Sequence, residues 1–593
     1  FGASRYSRRT GCADPVQAGG AMGRSRLAAT LRAFLPIRRP TLHREYDYIV
    51  VGAGSGGGHL AYRLSEDASC RVLLVEARGQ DSTPFVHVPV TYFKTIGTPA
   101  YDWMFRTHGP TSGLAGRSLA WPRGKVLGGS SSLNGLLYVR GLAHDYDSWA
   151  AAGNEGWVWS DVLPHFRACE DAPFEGEERG QGGPMSVSEA THITDLAERW
   201  STACSEVCGV PRVRDMSCVA GRGAESKGAG VAYFSNIKSP DGFRCSTALP
   251  LHEVRGQRPN LHILCGTEVQ EIVLQGSRVE GLHFKGQQGQ EVRVAPGGEV
   301  VLSAGALGSP HILLRSGIGE PAALERAGVA CRHALPGVGE NLQDHLQLRP
   351  KFRVNCGTMN TQVGGLVKYA VKGGVHWLGA LLSPAAWRFG FEFLVRRTGP
   401  VSMAASQVCT FVDSRPGLPA PDLQFHFQPL STTGTPAVYL DAFDAFTASV
   451  CILRPHSRGR VELQPDGSLR ISPHYLTAEQ DQELAVRSLE IAREVSRHPL
   501  LQELGAEEVD PPARTDLDHA HRVAETIYHP AGTCKMGPAG DIGAVVDPAL
   551  RVHGLEGLRV VDCSVMPTIT SGNTHAPTVM IAEKAASLLR GRS

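Results

Sequence analysis

Two histidines stand in contexts that suit acid–base chemistry. His529, in YHPAGTCKMG (528–537), precedes Pro530, which biases its backbone to an extended form, and Gly532 follows in a short turn. Its imidazole can therefore project from a loop. His575, in SGNTHAPTVMIAEK (571–584), lies two residues before Pro577, which suits the first turn of a helix running to about Leu589. An imidazole titrates near neutral pH and both donates and accepts hydrogen bonds, which fits a base that takes a hydroxyl proton. A helix N-terminus presents partial positive charge, so a group just ahead of one sits where developing negative charge is stabilised. Taken alone, His575 is more simply a packing or surface residue, one of 23 histidines in the chain.

Such groups need a scaffold, and YDYIVVGAGSGGGHLAYRLSE (46–66) supplies its start as an apolar strand, a glycine turn and a helix. Gly52, Gly54 and Gly57, with Ser55 inside the turn, satisfy G-x-G-x-x-G. The first glycine allows the tight turn, the second lets backbone approach a pyrophosphate, and the third lets helix and strand pack closely. CRVLLVEA (70–77) reads as the next strand and ends in Glu76, placed to accept a ribose hydroxyl hydrogen bond. An adenine dinucleotide site follows, without a choice between NAD and FAD. A second cluster, WPRGKVLGGSSSLNGLLYVRG (121–141), sets Gly128, Gly129 and three serines ahead of Asn134. Small residues and free N–H groups of this kind suit close approach to a diphosphate or a flat ring.

Bulk composition narrows the class. At 593 residues the chain is long for one core, and 42% hydrophobic with 20% charged residues fits a globular protein. A formal charge of +1 without long runs of one sign gives no footprint for nucleic acid or a membrane surface. No apolar run approaches the roughly 18 residues of a membrane span. The 14 cysteines include no C-x-x-C pair and no set with zinc-ligand spacing, which reads as a reduced intracellular protein without a structural metal. Residues 1–45 differ from the rest. From Met22, six arginines precede the first acidic residue, Glu45, which reads as a disordered basic segment or an organelle transit peptide, mitochondrial before plastid, with a cytoplasmic protein if it is only a tail.

With these motifs in order, the chain resembles the glucose-methanol-choline (GMC) family of FAD-dependent oxidoreductases. RGKVLGGSSSLNG and GALGSPHILLRSGIG (305–319) look like its two signatures, and PGVGENLQDH (336–345), YHPAGTCKMG and VVDPALRVHGLEGLRVVDCSVMP (545–567) follow in the family's order. The resemblance implies an α/β (α+β) fold: a Rossmann-like FAD-binding domain built from discontinuous segments, 46–185, 230–345 and 525–593, and an antiparallel-sheet substrate cap, 186–229 and 346–524. Within the cap, DLQFHFQP (422–429) and GRVELQP (459–465) alternate as antiparallel strands. The resemblance carries cofactor contacts onto Gly52, Gly54, Ser55, Gly57, Glu76, Arg123, Val126, Gly128, Gly129, Ser130, Asn134, Gly135, Leu136, Val269, Asp562, Ala576 and Pro577. Some members attach the flavin through a histidine just before the asparagine; Leu133 stands there, so the FAD is expected to be non-covalent.

The resemblance implies oxidation of a primary alcohol to an aldehyde by hydride transfer to the flavin, with His529 as the leading base and His575 at the second catalytic position. Choline-oxidising members usually have asparagine at that second position, and several other members have histidine. Choline-type members carry a glutamate where Gln407 stands, so a neutral alcohol is preferred over choline, with Gln407 and His426 as substrate residues. Fatty acid photodecarboxylases share the fold, but Ala405 and His426 fall where they carry cysteine and arginine, and they lack the histidine pair. A non-catalytic flavin protein would have lost the base. The electron acceptor, whether quinone, electron-transfer flavoprotein or O2, is not decided by the motifs, and mitochondrial targeting favours the respiratory chain.

Overall fold

The structure, a computed structural model, describes residues 22–172, 178–219, 227–286, 291–362, 384–433, 439–510 and 514–591. Its first sheet grows from short aliphatic runs. Glu45–Val51 pairs in parallel with Val72–Val75 on one side and Glu291–Leu302 on the other. Leu261–Leu264 and Leu558–Val560 extend it in parallel beyond those two strands. Every residue of Val72–Val75 is buried, as expected of a parallel strand covered on both faces. Val269–Gln275 and Arg278–Phe284 complete the sheet in antiparallel fashion. Three helices matter for the site: α1 (Met22–Arg32), α2 (Ser55–Leu64) and α3 (His575–Arg590). The glycine turn feeds α2 directly from the first strand, and α2 packs along α3.

The second sheet is antiparallel, in the order Glu507–Val509, Lys351–Arg353, Ala445–Ile452, Leu423–Gln428, Val408–Val412, Gly230–Tyr233. Leu346–Leu348 bridges Ala445–Ile452 and Glu525–Thr526. Alternation along the strands sends Phe425, Phe427, Phe446, Ala448 and Val450 into a core with Trp200 and Leu489, which lie on the helices Asp195–Cys208 and Glu479–Ser496. The same period of two leaves Cys409, Gln424, His426, Ser449, Cys451 and Gln347 on the opposite face. That polar face is where the cap meets the loop that carries His529.

Three boundaries differ from the sequence expectation. Residues 1–21 lie outside the described residues, but the rest of the basic segment is docked: Arg26 is buried and donates to the carbonyls of Pro184 (2.9 Å) and Gly183 (3.0 Å), with Ala29 and Ala33 buried beside it. A cation that satisfies carbonyls looks, in composition, like a cation meant for a leader. Gly230–Tyr233, assigned to the flavin lobe, is the edge strand of the cap sheet, because its partner is Val408–Val412. Arg460–Leu463, expected in the cap sheet, instead forms its own hairpin with Leu469–Ser472 and packs on the flavin-lobe helix Gly305–Arg315. Of the stretch 364–398, residues 364–383 lie outside the described residues.

The glycine turn tolerates little. A Cβ at Gly57 would collide with the Gly52 carbonyl oxygen and crowd Ser303 and Val50, whereas a Cβ at Gly79 meets nothing within 4 Å. We expect Gly57→Ala to cost about 3 kcal/mol or more of holoenzyme stability through overpacking and to release flavin, with Gly79→Ala near neutral. Thermal unfolding of the two variants side by side checks this.

Candidate active site

The two glycine clusters meet. Gly52 has φ 94°, and a Cβ on it would lie 2.6 Å from the Ser303 carbonyl oxygen. A Cβ on Gly129 would lie 2.7 Å from Gly54 Cα, so the turns abut backbone to backbone. Gly128 caps the turn in the left-handed region, the Gly129 N–H donates to the Val126 carbonyl (2.7 Å), and Ser130 Oγ accepts from the Gly124 N–H (3.1 Å). Gly135 has open space where a Cβ would sit, and Leu136, at φ 67°, donates its N–H to Asn134 Oδ1 (3.1 Å). Glu76 ends the second strand with its carboxylate accepting from the Ala53 and Arg78 N–H groups, and burial pushes its pKa up to about 7. Val269 is buried, with its carbonyl accepting from Arg315. Asp562 is fully engaged, taking N–H groups from Gly305 and Ser564 and the Ser309 hydroxyl. Ala576 and Pro577 form the buried first turn of α3.

The structure separates the two histidines that the sequence paired. His575 Nδ1 lies 2.7 Å from Ser55 Oγ on the dinucleotide turn, and its Nε2 is buried without a hydrogen-bond partner. His529 instead meets Asn573: its Nε2 is 3.2 Å from Asn573 Nδ2, and its Nδ1 is 3.0 Å from Nδ1 of His345. The reason is local. The helix begins at His575 itself, so that residue turns onto α2, while Asn573, two residues earlier, is still loop and reaches the base. Asn573 is the residue that sequence reasoning missed. The signal was present in the motif, since it lies in the same loop and can donate and accept.

The His529 loop is held from below. Asp344 accepts the His529 N–H (2.8 Å) and the Thr526 hydroxyl (2.6 Å), and Tyr475 also donates to it. Arg123 donates to the Tyr528 carbonyl at 2.5 Å, tying the glycine loop 121–141, the ring-side loop of the resemblance, to the loop of His529. With Asn573 Nδ2 facing Nε2, that nitrogen carries the lone pair and the ring proton sits on Nδ1, shared with His345. Burial, together with His345, His426 and Arg123, holds the His529 pKa well below the usual imidazole range. The ring is a neutral base.

The two residues expected at the substrate divide. Gln407 is consumed by the fold, its Oε1 accepting from the Thr194 N–H (3.1 Å) and hydroxyl (3.0 Å) and its Nε2 donating to the His192 carbonyl (3.1 Å). No part of that amide is left to bind another molecule. His426 lies on the polar face, its Nε2 against Gln424 Oε1 (3.0 Å) and its Nδ1 without a partner. One group among the described residues has metal-ligand types, His59, Cys169 and Glu583. Arg63 Nε lies 2.7 Å from the same Glu583 oxygen that meets His59 at 2.5 Å, so the carboxylate charge is already matched by a guanidinium.

The cradle of backbone, the acidic strand end and the unpartnered buried atoms fit a dinucleotide flavin. The GMC oxidoreductase N-terminal and C-terminal patterns match residues 46–347 and 455–582. The chain belongs to the GMC oxidoreductase family. It is an FAD-dependent oxidoreductase acting on CH–OH groups. This GMC chain is 35% identical to the oxygen-dependent choline dehydrogenase of Photobacterium profundum, covering 93% of itself and 94% of the relative. It is 36% identical to the alcohol dehydrogenase [acceptor] of Pseudomonas putida, over 92% and 95%, and 36% to the mitochondrial choline dehydrogenase of Homo sapiens, over 92% and 90%. Among solved structures it resembles pyridoxine 4-oxidase from Mesorbium loti, with TM-score 0.76, 32% identity and coverage of 92% and 99%.

Burial gives this polar face a pH signature. His426 is held down to about 3, first by desolvation and then by His345 and Arg349. Below the ordinary value of about 6.5 the unfolded chain takes up a proton that the folded state refuses, so this contribution is full above pH 6.5 and is lost as pH falls. Asp344 and Glu76, raised to about 6 and about 7, act with the opposite sign. A His426→Gln variant leaves those two in place. Between pH 7.5 and 5.5 it should lose about 1 kcal/mol less stability than the parent by denaturant titration; equal losses would contradict the assignment.

Proposed function

We propose that the chain oxidises a primary alcohol to its aldehyde, with His529 as base and Asn573 holding the substrate oxygen. The contact of His529 Nε2 with Asn573 Nδ2 carries this, because it leaves the lone pair of the base beside an amide whose Oδ1 has no partner. The hydroxyl proton passes to Nε2, and the C–H hydrogen leaves with its electron pair. Bound FAD supplies the acceptor of that hydride. Asp344 and His345 position the base, fixing its backbone and its tautomer. Leu133 ahead of Asn134 supports non-covalent attachment.

The substrate we propose is a neutral primary alcohol. The two sequence arguments against choline rested on His575 and Gln407, which contact other parts of the fold, and Asn573 restores the asparagine that choline-oxidising members carry. Choline is therefore the second reading, in keeping with the choline dehydrogenases among the relatives. The neutral reading now rests on charge: Arg349 and Arg123 act on His426 and His529 and disfavour a cation, while Arg454, which acts on His345, is paired with Asp145. For location, the basic N-terminal segment and the mitochondrial human and mouse relatives support the mitochondrion, with Arg26 onward retained in the mature fold. The respiratory chain then follows as the electron sink, through a quinone or an electron-transfer flavoprotein. No helix among the described residues is long and apolar enough to cross a membrane.

Anaerobic flavin reduction tests both parts. His529→Ala should slow reduction by roughly 10²–10⁴, the span of a lost general base, with flavin retained; Asn573→Ala should cost about tenfold. Near-normal reduction by the first variant removes the assigned base. Choline and 3,3-dimethylbutan-1-ol share a shape and differ in charge, and the neutral alcohol is expected to give the higher kcat/KM.

A further inference from the structure

The hydrogen bonds around His575 leave an unmet electrostatic demand at the junction of the two glycine turns. Arg244 is 1% exposed and is tied to the ring-side loop, with Nη1 donating to Asn134 Oδ1 (2.6 Å) and the Ser131 carbonyl (3.2 Å), and Nε donating to the Val86 carbonyl (2.8 Å). Its Nη2 has no partner. The other largest fully buried arginines are paired: Arg140 with Glu170, and Arg559 with Glu299 at 2.6 Å. Arg244 has no carboxylate among the described residues. A guanidinium stays charged in a protein, and leaving such a charge buried and unpaired is strongly destabilising.

His575 converges on the same place. Ser55 opens α2, and its hydroxyl meets His575 Nδ1, while Thr247, three residues after Arg244, donates to the Gly54 carbonyl (3.1 Å) on that turn. Burial, and after it the nearby Arg244 and His59, holds the His575 pKa down to about 3 and keeps the imidazole neutral. Ser55 Oγ and His575 Nδ1 share one proton, and a Ser55 hydroxyl that donates it leaves the ring proton on Nε2, the atom without a partner. The junction thus holds two unpartnered buried donors, one of them a permanent cation, beside the N-terminus of α2. A permanent cation calls for a permanent anion, and the diphosphate carries its charge in both redox states of the cofactor.

We propose that Arg244 and His575 are diphosphate-binding residues that complete the FAD site, so that His575 serves cofactor retention rather than proton transfer. The inference rests on FAD binding and not on the identity of the alcohol, so its failure would leave the role of His529 untouched. The test uses purified holoenzyme. Arg244→Met should speed FAD release after dilution by about 10- to 100-fold, the span for a lost hydrogen bond to a charged group. His575→Phe should speed it by less, and Arg244→Lys, which keeps the charge and the packing stem, should sit between parent and Met and stands in if Arg244→Met fails to fold. The ³¹P resonances of bound FAD should shift in Arg244→Lys and His575→Phe while the flavin midpoint potential stays within error of the parent. Unchanged ³¹P shifts with unchanged release would overturn the proposal, as would a displaced potential with normal release, which would place both donors at the ring.

Discussion

The rest of the site depends on one close approach of backbone to backbone, between Gly54 and Gly129. A side chain on Gly129 would strike Gly54, so the dinucleotide strand and the ring-side loop share one backbone surface. The residues we assign to the cofactor are hung from that contact: Ser55 and Glu76 from one side, Asn134 and Leu136 from the other, and Arg244 between them through Asn134. The parallel sheet holds the first turn in place, and the ring-side loop reaches on to the catalytic loop through Arg123.

A second constraint is dryness. A base on a loop would ordinarily titrate near neutrality, yet His529 is packed against His345, capped by Asp344 and covered by the polar face of the cap sheet. Desolvation penalises the charged imidazole, which in the role we propose keeps His529 free to accept a proton, and the contacts of its two nitrogens with Asn573 and His345 fit acceptance at Nε2. The cap contributes this environment by alternation alone: one face of its strands is an aromatic and aliphatic core, and the other offers histidine, glutamine, serine and cysteine.

Features carried by consecutive residues were legible in the sequence. The strand, turn and helix at 46–66, the acidic end of the second strand at Glu76, the ring-side glycines and the cap strand at 423–428 all stand where periodicity and glycine spacing put them. Features decided by a register of one or two residues were not. Reading Pro577 as the helix start left His575 in the loop, whereas the helix begins at His575 and hands the loop position to Asn573. Gln407 looked available because a sequence does not show that Thr194 and His192 will claim its amide. The docking of α1 was hidden for a related reason, since Arg26 serves two carbonyls 157 and 158 residues away.

In the mechanism we propose, the reacting oxygen sits between His529 and Asn573 and away from His575. Its most direct measurement is a crystal structure of the holoenzyme with a bound alcohol or an unreactive analogue. We expect the ligand oxygen within hydrogen-bond distance of His529 Nε2 and the Asn573 amide, with His575 still bonded to Ser55. A ligand oxygen placed on His575 Nε2, with His529 turned away, would contradict the account.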